Sequence, residues 1–259
     1  DPRKRVQSSG PTLPGPAAPA PSGGADGDTV YIPPSIMVGP ERHAGSVAAL
    51  QGFKYPVEVA RLVMEKTPHV MLAGDGAEAF ADTQAAIERV SPDYFDTEHR
   101  YRQLLDTQAE AGETASSDLK GRYFGTVGAV ALDAHGHIAA GTSTGGMTNK
   151  RWSRIGDSPI IGAGTYANRQ CGVSGTGWGE FFIRAAVAHD ICARMQYRGD
   201  TLSEAADEVL LNVVPGMGGD GGAIALDNDG NIAMPFSTEG MYRGWIRPDG
   251  SRGVAIFKD

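Results

Sequence analysis

The sequence predicts an α+β chain in which a layer of antiparallel strands packs against helices. Two observations carry that reading. First, two similar units recur far apart, TVGAVALDAHGHIAAGTST at 126–144 and GGAIALDNDGNIAMPFST at 221–238. Each sets two apolar runs around a short polar turn built on Asp and Gly, the pattern of a β-hairpin. Second, helical spacing marks the segments at 55–68, around FFIRAAVAHDICARM (181–195) and around LSEAADEVLL (202–211). Hairpins alternating with helices are what a sheet covered by helices requires.

Taken in order, residues 1–34 hold eight of the 16 prolines and little that is apolar. Pro fixes φ and lacks an N–H, so this stretch reads as a disordered arm. VAAL (47–50) reads as a short strand. YPVEVARLVMEKTP (55–68) reads as a helix, with Pro56 in its first turn and Val59, Leu62, Val63 and Lys66 at three- and four-residue steps. HVMLAG (69–74) reads as a buried strand and GAEAFADTQ as a short helix. Residues 96–121 turn charged and poorly apolar, and their end, EAGETASSDLKG, reads as a mobile connection. Beyond the first hairpin comes a Gly-rich stretch at 162–179. The last helical pattern opens on Ser203 as its N-cap, with no acid three residues on at Ala206.

Composition narrows the class. With 23 basic against 31 acidic residues the net charge is −8, which argues against a nucleic-acid reader. No apolar run approaches a membrane span or a signal-peptide core, so a cytoplasmic protein with no nucleic-acid or membrane partner is expected. The two cysteines, Cys171 and Cys192, make neither a disulfide framework nor a metal knuckle and read as free buried thiols. GMGGDGG (216–222) lacks the Lys-Ser/Thr ending of a phosphate loop and reads as a turn before a strand. His135 and His137 read as solvent-facing turn residues, with no metal site implied. Trp152, Trp178 and Trp245 read as packing residues.

The chemistry gathers at Gly125-Thr126-Val127-Gly128. A threonine opening a strand is ordinarily structural, because its branched Cβ suits a sheet. If the Gly125–Thr126 bond were cut, however, Thr126 would carry a hydroxyl and a free α-amine. An α-amine with a pKa near 8 can act as general base to its own Oγ. No separate Ser/His/Asp arrangement is readable.

At this point the text GTVGAVALDAHGHIAAGTSTGGMTNKRWSRIGDSPIIGAGTYA, with VSGTGWGEFFIR and GGDGGAIALDNDGNIAMPFSTEGMYRGW after it, resembles the β-subunit of the isoaspartyl peptidase/plant-type L-asparaginase family. These are threonine N-terminal-nucleophile hydrolases that cleave themselves before the nucleophile. Upstream, SIMVGPERHAGSVAALQGFKYPVEVARLVMEKTPHVMLAGDGAEAFA resembles the latter part of the family's α-subunit, so the likeness runs from about 35 to 259. It implies an αββα four-layer sandwich, an α-subunit-like part at 35–125 and a β-subunit-like part at 126–259. It also implies a homodimer of αβ units and no organic cofactor.

Carried over by motif, the resemblance makes Gly125–Thr126 the cleavage site and Thr126 the nucleophile. Thr144 in STGG would hydrogen-bond the Thr126 hydroxyl or amine. Arg154 and Asp157 in RIGDSP would grip the α-carboxylate and α-amine of an aspartyl substrate, as a guanidinium fork and a carboxylate can. Without the family they would read as a surface ion pair. Thr176 and Gly177 in GTGWG would supply the oxyanion hole, with the Gly179 backbone nearby; alone, that segment reads as a turn. The implied activity is hydrolysis of β-aspartyl dipeptides and L-asparagine. The alternatives are a glycosylasparaginase-like hydrolase or a non-catalytic remnant acting as a binding module. The family's opening strand ending in His-Gly-Gly-Ala-Gly is not found here, nor its Asn-Ala-Gly segment, and Val38 stands where an acid is usual. The loop that holds a structural sodium ion in some members is expected to be absent with them.

Overall fold

The structure is a computed structural model that describes residues 31–110, 125–150 and 152–258. It is a mixed α/β fold. One five-stranded sheet has the order β3-β2-β1-β5-β4, built from β1 (Ser35–Val38), β2 (His43–Ala48), β3 (Met71–Ala73), β4 (Val127–Leu132) and β5 (Ile138–Ser143). Only the β2/β3 pair is parallel. A four-stranded antiparallel sheet has the order β6-β7-β8-β9, from β6 (Thr165–Ala167), β7 (Cys171–Gly177), β8 (Gly221–Asp227) and β9 (Ile232–Ala233). A separate ribbon pairs β10 (Gly240–Ile246) with β11 (Arg252–Phe257).

Helix α1 (Pro56–Lys66) has Pro at its start, Glu58 in its first turn and Lys66 in its last, each favourable to the helix dipole. Its buried stripe of Val59, Ala60, Leu62 and Val63 packs on β2. α2 (Gly74–Asp82) follows β3, and α3 (Glu98–Glu110) precedes Gly125 and Thr126 in the chain. On the other side, α5 (Val187–Arg198) packs on β6 and β7, and α6 (Leu202–Asp207) packs on β8 and β9. The inner faces of the two sheets meet, β4 against β7 and β8, β5 against β6 and β7. Gly128 marks the closest approach, since a Cβ there would collide with the Ser174 hydroxyl.

That interface is lined by hydroxyls as well as by apolar groups. Ser35 is bonded to Thr165 Oγ1 (2.8 Å), Thr165 to Thr142 Oγ1 (2.5 Å) and Thr142 to Ser174 Oγ (2.7 Å). All four are buried. Each polar atom is therefore satisfied inside the protein, which burial demands.

Both hairpins form, and both turns are closed by an aspartate. Asp133 Oδ1 accepts from the amides of His135 and His137, each at 2.8 Å, and Asp227 Oδ1 accepts from those of Asp229 (3.0 Å) and Asn231 (2.8 Å). His135 and His137 face solvent as expected, and GMGGDGG leads by a turn into β8.

Several expectations are corrected. The strand expected at 47–50 runs instead over His43–Ala48, and Ala49 leaves it with φ +52°. β3 is shorter than 69–74 and not buried, because it lies at the sheet edge. The helix expected across 181–195 is broken at Ala186 (φ +48°) into α4 (Gly179–Ala185) and α5. The break frees the first amides of α5 to donate to Ala163 O and Gly162 O, at 3.0 and 2.9 Å. The last helix is capped by Thr201 rather than Ser203, with a full capping box. Glu204 N donates to Thr201 Oγ1 (3.3 Å) and Thr201 N donates to the Glu204 carboxylate (2.9 Å). Residues 31–34 are not part of a disordered arm: Ile32 N donates to Leu50 O (3.0 Å) and Pro34 O accepts from Val47 N (3.1 Å). Residues 1–30 and the connection after Glu110 lie outside the described residues.

The cysteines are corrected too. Cys171 on β7 and Cys192 on α5 form a disulfide with Cα atoms 5.5 Å apart, and both are fully buried. Trp178 packs edge-on against Phe181 as expected, with ring centroids 5.0 Å apart, whereas Trp152 is 89% exposed and packs into no core.

Candidate active site

The first hairpin builds the end that carries Thr126. The β4/β5 register runs from Leu132↔Ile138 to Val127↔Ser143, and one step further sets Thr126 opposite Thr144. There Thr126 Oγ1 donates to Thr144 Oγ1 at 3.1 Å, and Thr144 Oγ1 also accepts from Gly146 N at 3.0 Å. The structure thus pairs the two threonines that the sequence singled out. Just before them Gly125 has φ +129°, a conformation that residues with a side chain rarely adopt. The residue type before Thr126 is therefore set by backbone geometry.

A second group forms where the 154–157 turn meets the start of α4. A Cβ on Gly179 would stand 2.8 Å from both Arg154 Nη2 and Asp157 Oδ1, so these side chains border one small space that only a glycine leaves open. Asp157 is 6% exposed, and its Oδ2 is buried with no hydrogen-bond partner. Burial pushes its carboxyl up to about 7. A buried acceptor left unmet is costly; Oδ2 faces Gly164, where a Cβ would stand 2.7 Å from it, while Oδ1 borders the Gly179 space.

Arg154 does not pair with Asp157 by hydrogen bond. It forks instead onto Glu180, Nε to Oε1 at 2.8 Å and Nη2 to Oε2 at 2.6 Å. Burial works to raise the Glu180 carboxyl, but the hydrogen bond and charge of Arg154 outweigh it and hold it below its ordinary value. Glu180 escaped the sequence reading, although its place directly after Gly179 in the quoted motif was the available signal.

Thr176 and Gly177 end β7, opposite Gly222 and Gly221 of β8. Two glycines facing each other let the backbones close: a Cβ on Gly177 would sit 2.5 Å from Asp220 O and 2.6 Å from Gly221 Cα. The chain passes directly from Gly177 through Trp178 to Gly179, so this strand end continues into the Arg154/Asp157 space.

Beside Gly125 and Thr144 opens a cavity of about 960 Å³, bordered also by Met147, Lys150, Arg100 and Tyr101 among others. Lys150 was not singled out by the sequence reading. It is the sole lysine between Lys120 and Lys258, which was a usable signal.

The asparaginase family profile matches residues 25–256, beginning inside the stretch read as an arm. The isoaspartyl peptidase of Escherichia coli (strain K12) is 51% identical over 238 residues, covering 90% of this chain and 74% of the relative. A protein of Arabidopsis thaliana named probable isoaspartyl peptidase/L-asparaginase 2 is 42% identical over 253 residues, covering 89% and 77%. The isoaspartyl peptidase/L-asparaginase of Rattus norvegicus is 40% identical over 218 residues, covering 84% and 64%. With its hairpin threonines paired and its profile match extending over most of its length, the chain belongs to the asparaginase family.

Proposed function

We propose that this chain is a self-cleaving threonine amidohydrolase that releases L-aspartate from β-aspartyl dipeptides and from L-asparagine. The observation that carries the reading is the Thr126–Thr144 hydroxyl pair, placed directly after a glycine at φ +129°. The names of the relatives, isoaspartyl peptidase and isoaspartyl peptidase/L-asparaginase, support the substrate class. The outer position of α1, the two facing sheets and the outer position of α5 and α6 support the αββα sandwich.

Self-cleavage begins when Thr126 Oγ attacks the Gly125 carbonyl carbon. The C–N bond breaks, the nitrogen takes the hydroxyl proton, and water hydrolyses the resulting ester. Thr126 is left with a free α-amine. In turnover that amine takes the Oγ proton as Oγ attacks the side-chain amide carbonyl of the substrate. Thr176 and Gly177 stabilise the oxyanion, a role worth a few kcal/mol per donor in such sites. The amine returns the proton to the leaving nitrogen, and water then releases aspartate from the β-aspartyl ester. Arg154 holds the α-carboxylate and Asp157 the α-ammonium throughout. Every proton and electron pair in this scheme moves between groups of the chain, substrate and water, so it needs no cofactor. The working unit is a homodimer of cleaved chains.

Intact mass of purified protein tests the reading. The expected products are residues 1–125 and 126–259, with Thr126 as the new amino terminus. Active protein with a different new terminus would overturn it.

A further inference from the structure

We propose that Lys150 binds the terminal carboxylate of the leaving amino acid in a β-aspartyl dipeptide, and so makes the site selective for dipeptides with a free C-terminus. This rests on the function proposed above and adds a subsite to it.

The turn that carries Thr144 also carries Lys150. Thr144 Oγ1 accepts from Gly146 N, while Lys150 Nζ donates to Gly145 O at 2.7 Å. The ammonium therefore lies one turn away from the hydroxyl that touches Thr126 Oγ1. Its other observed bond is to Tyr31 O at 3.2 Å. Both partners are neutral carbonyls, and an ammonium has three donors. Among the described residues no carboxylate is hydrogen-bonded to it. Burial, reinforced by the charge of Arg154, brings its pKa down to about 8, so the amine is still largely protonated at neutral pH. A desolvated cation without a counter-charge favours the arrival of an anion.

The chemistry of the substrate supplies that anion. A β-aspartyl dipeptide has two carboxylates, one on the aspartyl residue and one on the leaving residue; L-asparagine has only the first. Arg154 is assigned to the first. The cavity on the Gly125 and Thr144 side offers far more room than an ammonia leaving group needs; among its described lining residues the cations are Arg100, beside Gly125, and Lys150, and Lys150 is the one carried on the Thr144 turn. A carboxylate of the leaving residue, a few bonds beyond the scissile nitrogen, meets it there.

Two substrates differing only at that carboxylate test the assignment: β-aspartyl-leucine and its C-terminal amide. In the parent protein kcat/KM should favour the free acid by about 10-fold or more, mostly through KM. In Lys150→Met the ratio of free acid to amide should fall about 10- to 100-fold, and Lys150→Arg should restore part of it. A parent ratio near one overturns the assignment without any variant. So does a Lys150→Met variant in which both substrates lose equally, because that is the signature of a brace on the 144–146 turn. A parent that hydrolyses L-asparagine and the amide but shows no preference for the acid sinks only the role of Lys150. A parent that hydrolyses none of them, with Thr126 exposed, sinks the proposed function as well.

Discussion

Arg154 forks onto Glu180 through Nε and Nη2, at 2.8 and 2.6 Å. A guanidinium has five N–H donors, and this pair uses one edge. In the proposed reaction Arg154 takes the substrate carboxylate, and Glu180 is then the residue that fixes its guanidinium. Glu180→Gln should raise KM for L-asparagine about 5- to 20-fold with a smaller change in kcat, since the fork loses its charged brace. Arg154→Lys should cost more, about 100-fold in kcat/KM, while self-cleavage survives. Steady-state kinetics on both variants decide it; a Glu180→Gln variant with the parent's KM would show that Arg154 needs no brace.

Asp157 gives a pH signature. Its carboxyl titrates near 7 in the folded protein against an ordinary value of 3.8. Between those values the folded chain keeps a proton that the unfolded chain has lost. Its contribution to stability is therefore fully present below about pH 4, falls as pH rises to 7, and is flat above. Asp157→Asn should be more stable than the parent at pH 8, by about 4 kcal/mol at most from a three-unit shift, and should gain little at pH 4. Thermal melts at the two pH values check the sign. The same variant should fail to hold an α-ammonium and lose most activity at every pH.

Cleavage should depend on the two sides of the scissile bond in different ways. Thr144→Val removes the hydroxyl that touches Thr126 Oγ1 and should slow self-cleavage by about 10- to 100-fold without unfolding the sheet. Gly125→Ala must place a side chain at φ +129° and should destabilise the uncut chain by about 1 kcal/mol or more. A time course of intact mass separates these from Thr126→Ala, which should never cleave. Cleavage of Thr144→Val at the parent rate would remove Thr144 from the mechanism.

The parts of this site that were legible in the sequence are those that follow from period and register. Two apolar runs around an Asp-Gly turn fix a hairpin, and a hairpin sets Thr126 opposite Thr144 once its turn is placed. Gly179 and Asp157 were legible only through the family motif, because nothing in local spacing shows that a turn and a helix start share a space. Glu180 and Lys150 were missed for the same reason: an ion pair between residues 26 apart, or a lysine held by carbonyls, leaves no periodic trace. The break at Ala186 was invisible because alanine ordinarily favours a helix, and only the carbonyls of Gly162 and Ala163 make an interruption worthwhile.

The disulfide carries the last prediction. Two cysteines 21 residues apart say nothing about pairing until β7 and α5 are seen to pack, and then Cys171 faces Cys192 across the core. Closing a loop of that length restrains the unfolded chain by about 3 kcal/mol in the loop-entropy account. The bond joins the strand that ends in Thr176 and Gly177 to the helix behind it, so its loss should loosen the strand that carries the proposed oxyanion donors. Thiol titration of the denatured, unreduced protein should find no free thiol, and reduction followed by alkylation should reveal two. The double variant Cys171→Ala/Cys192→Ala should melt lower by an amount matching about 3 kcal/mol or somewhat more, because it also leaves small voids among fully buried neighbours. Two free thiols in freshly purified protein made under oxidising conditions would return the cysteines to the buried, unlinked pair that their spacing suggested.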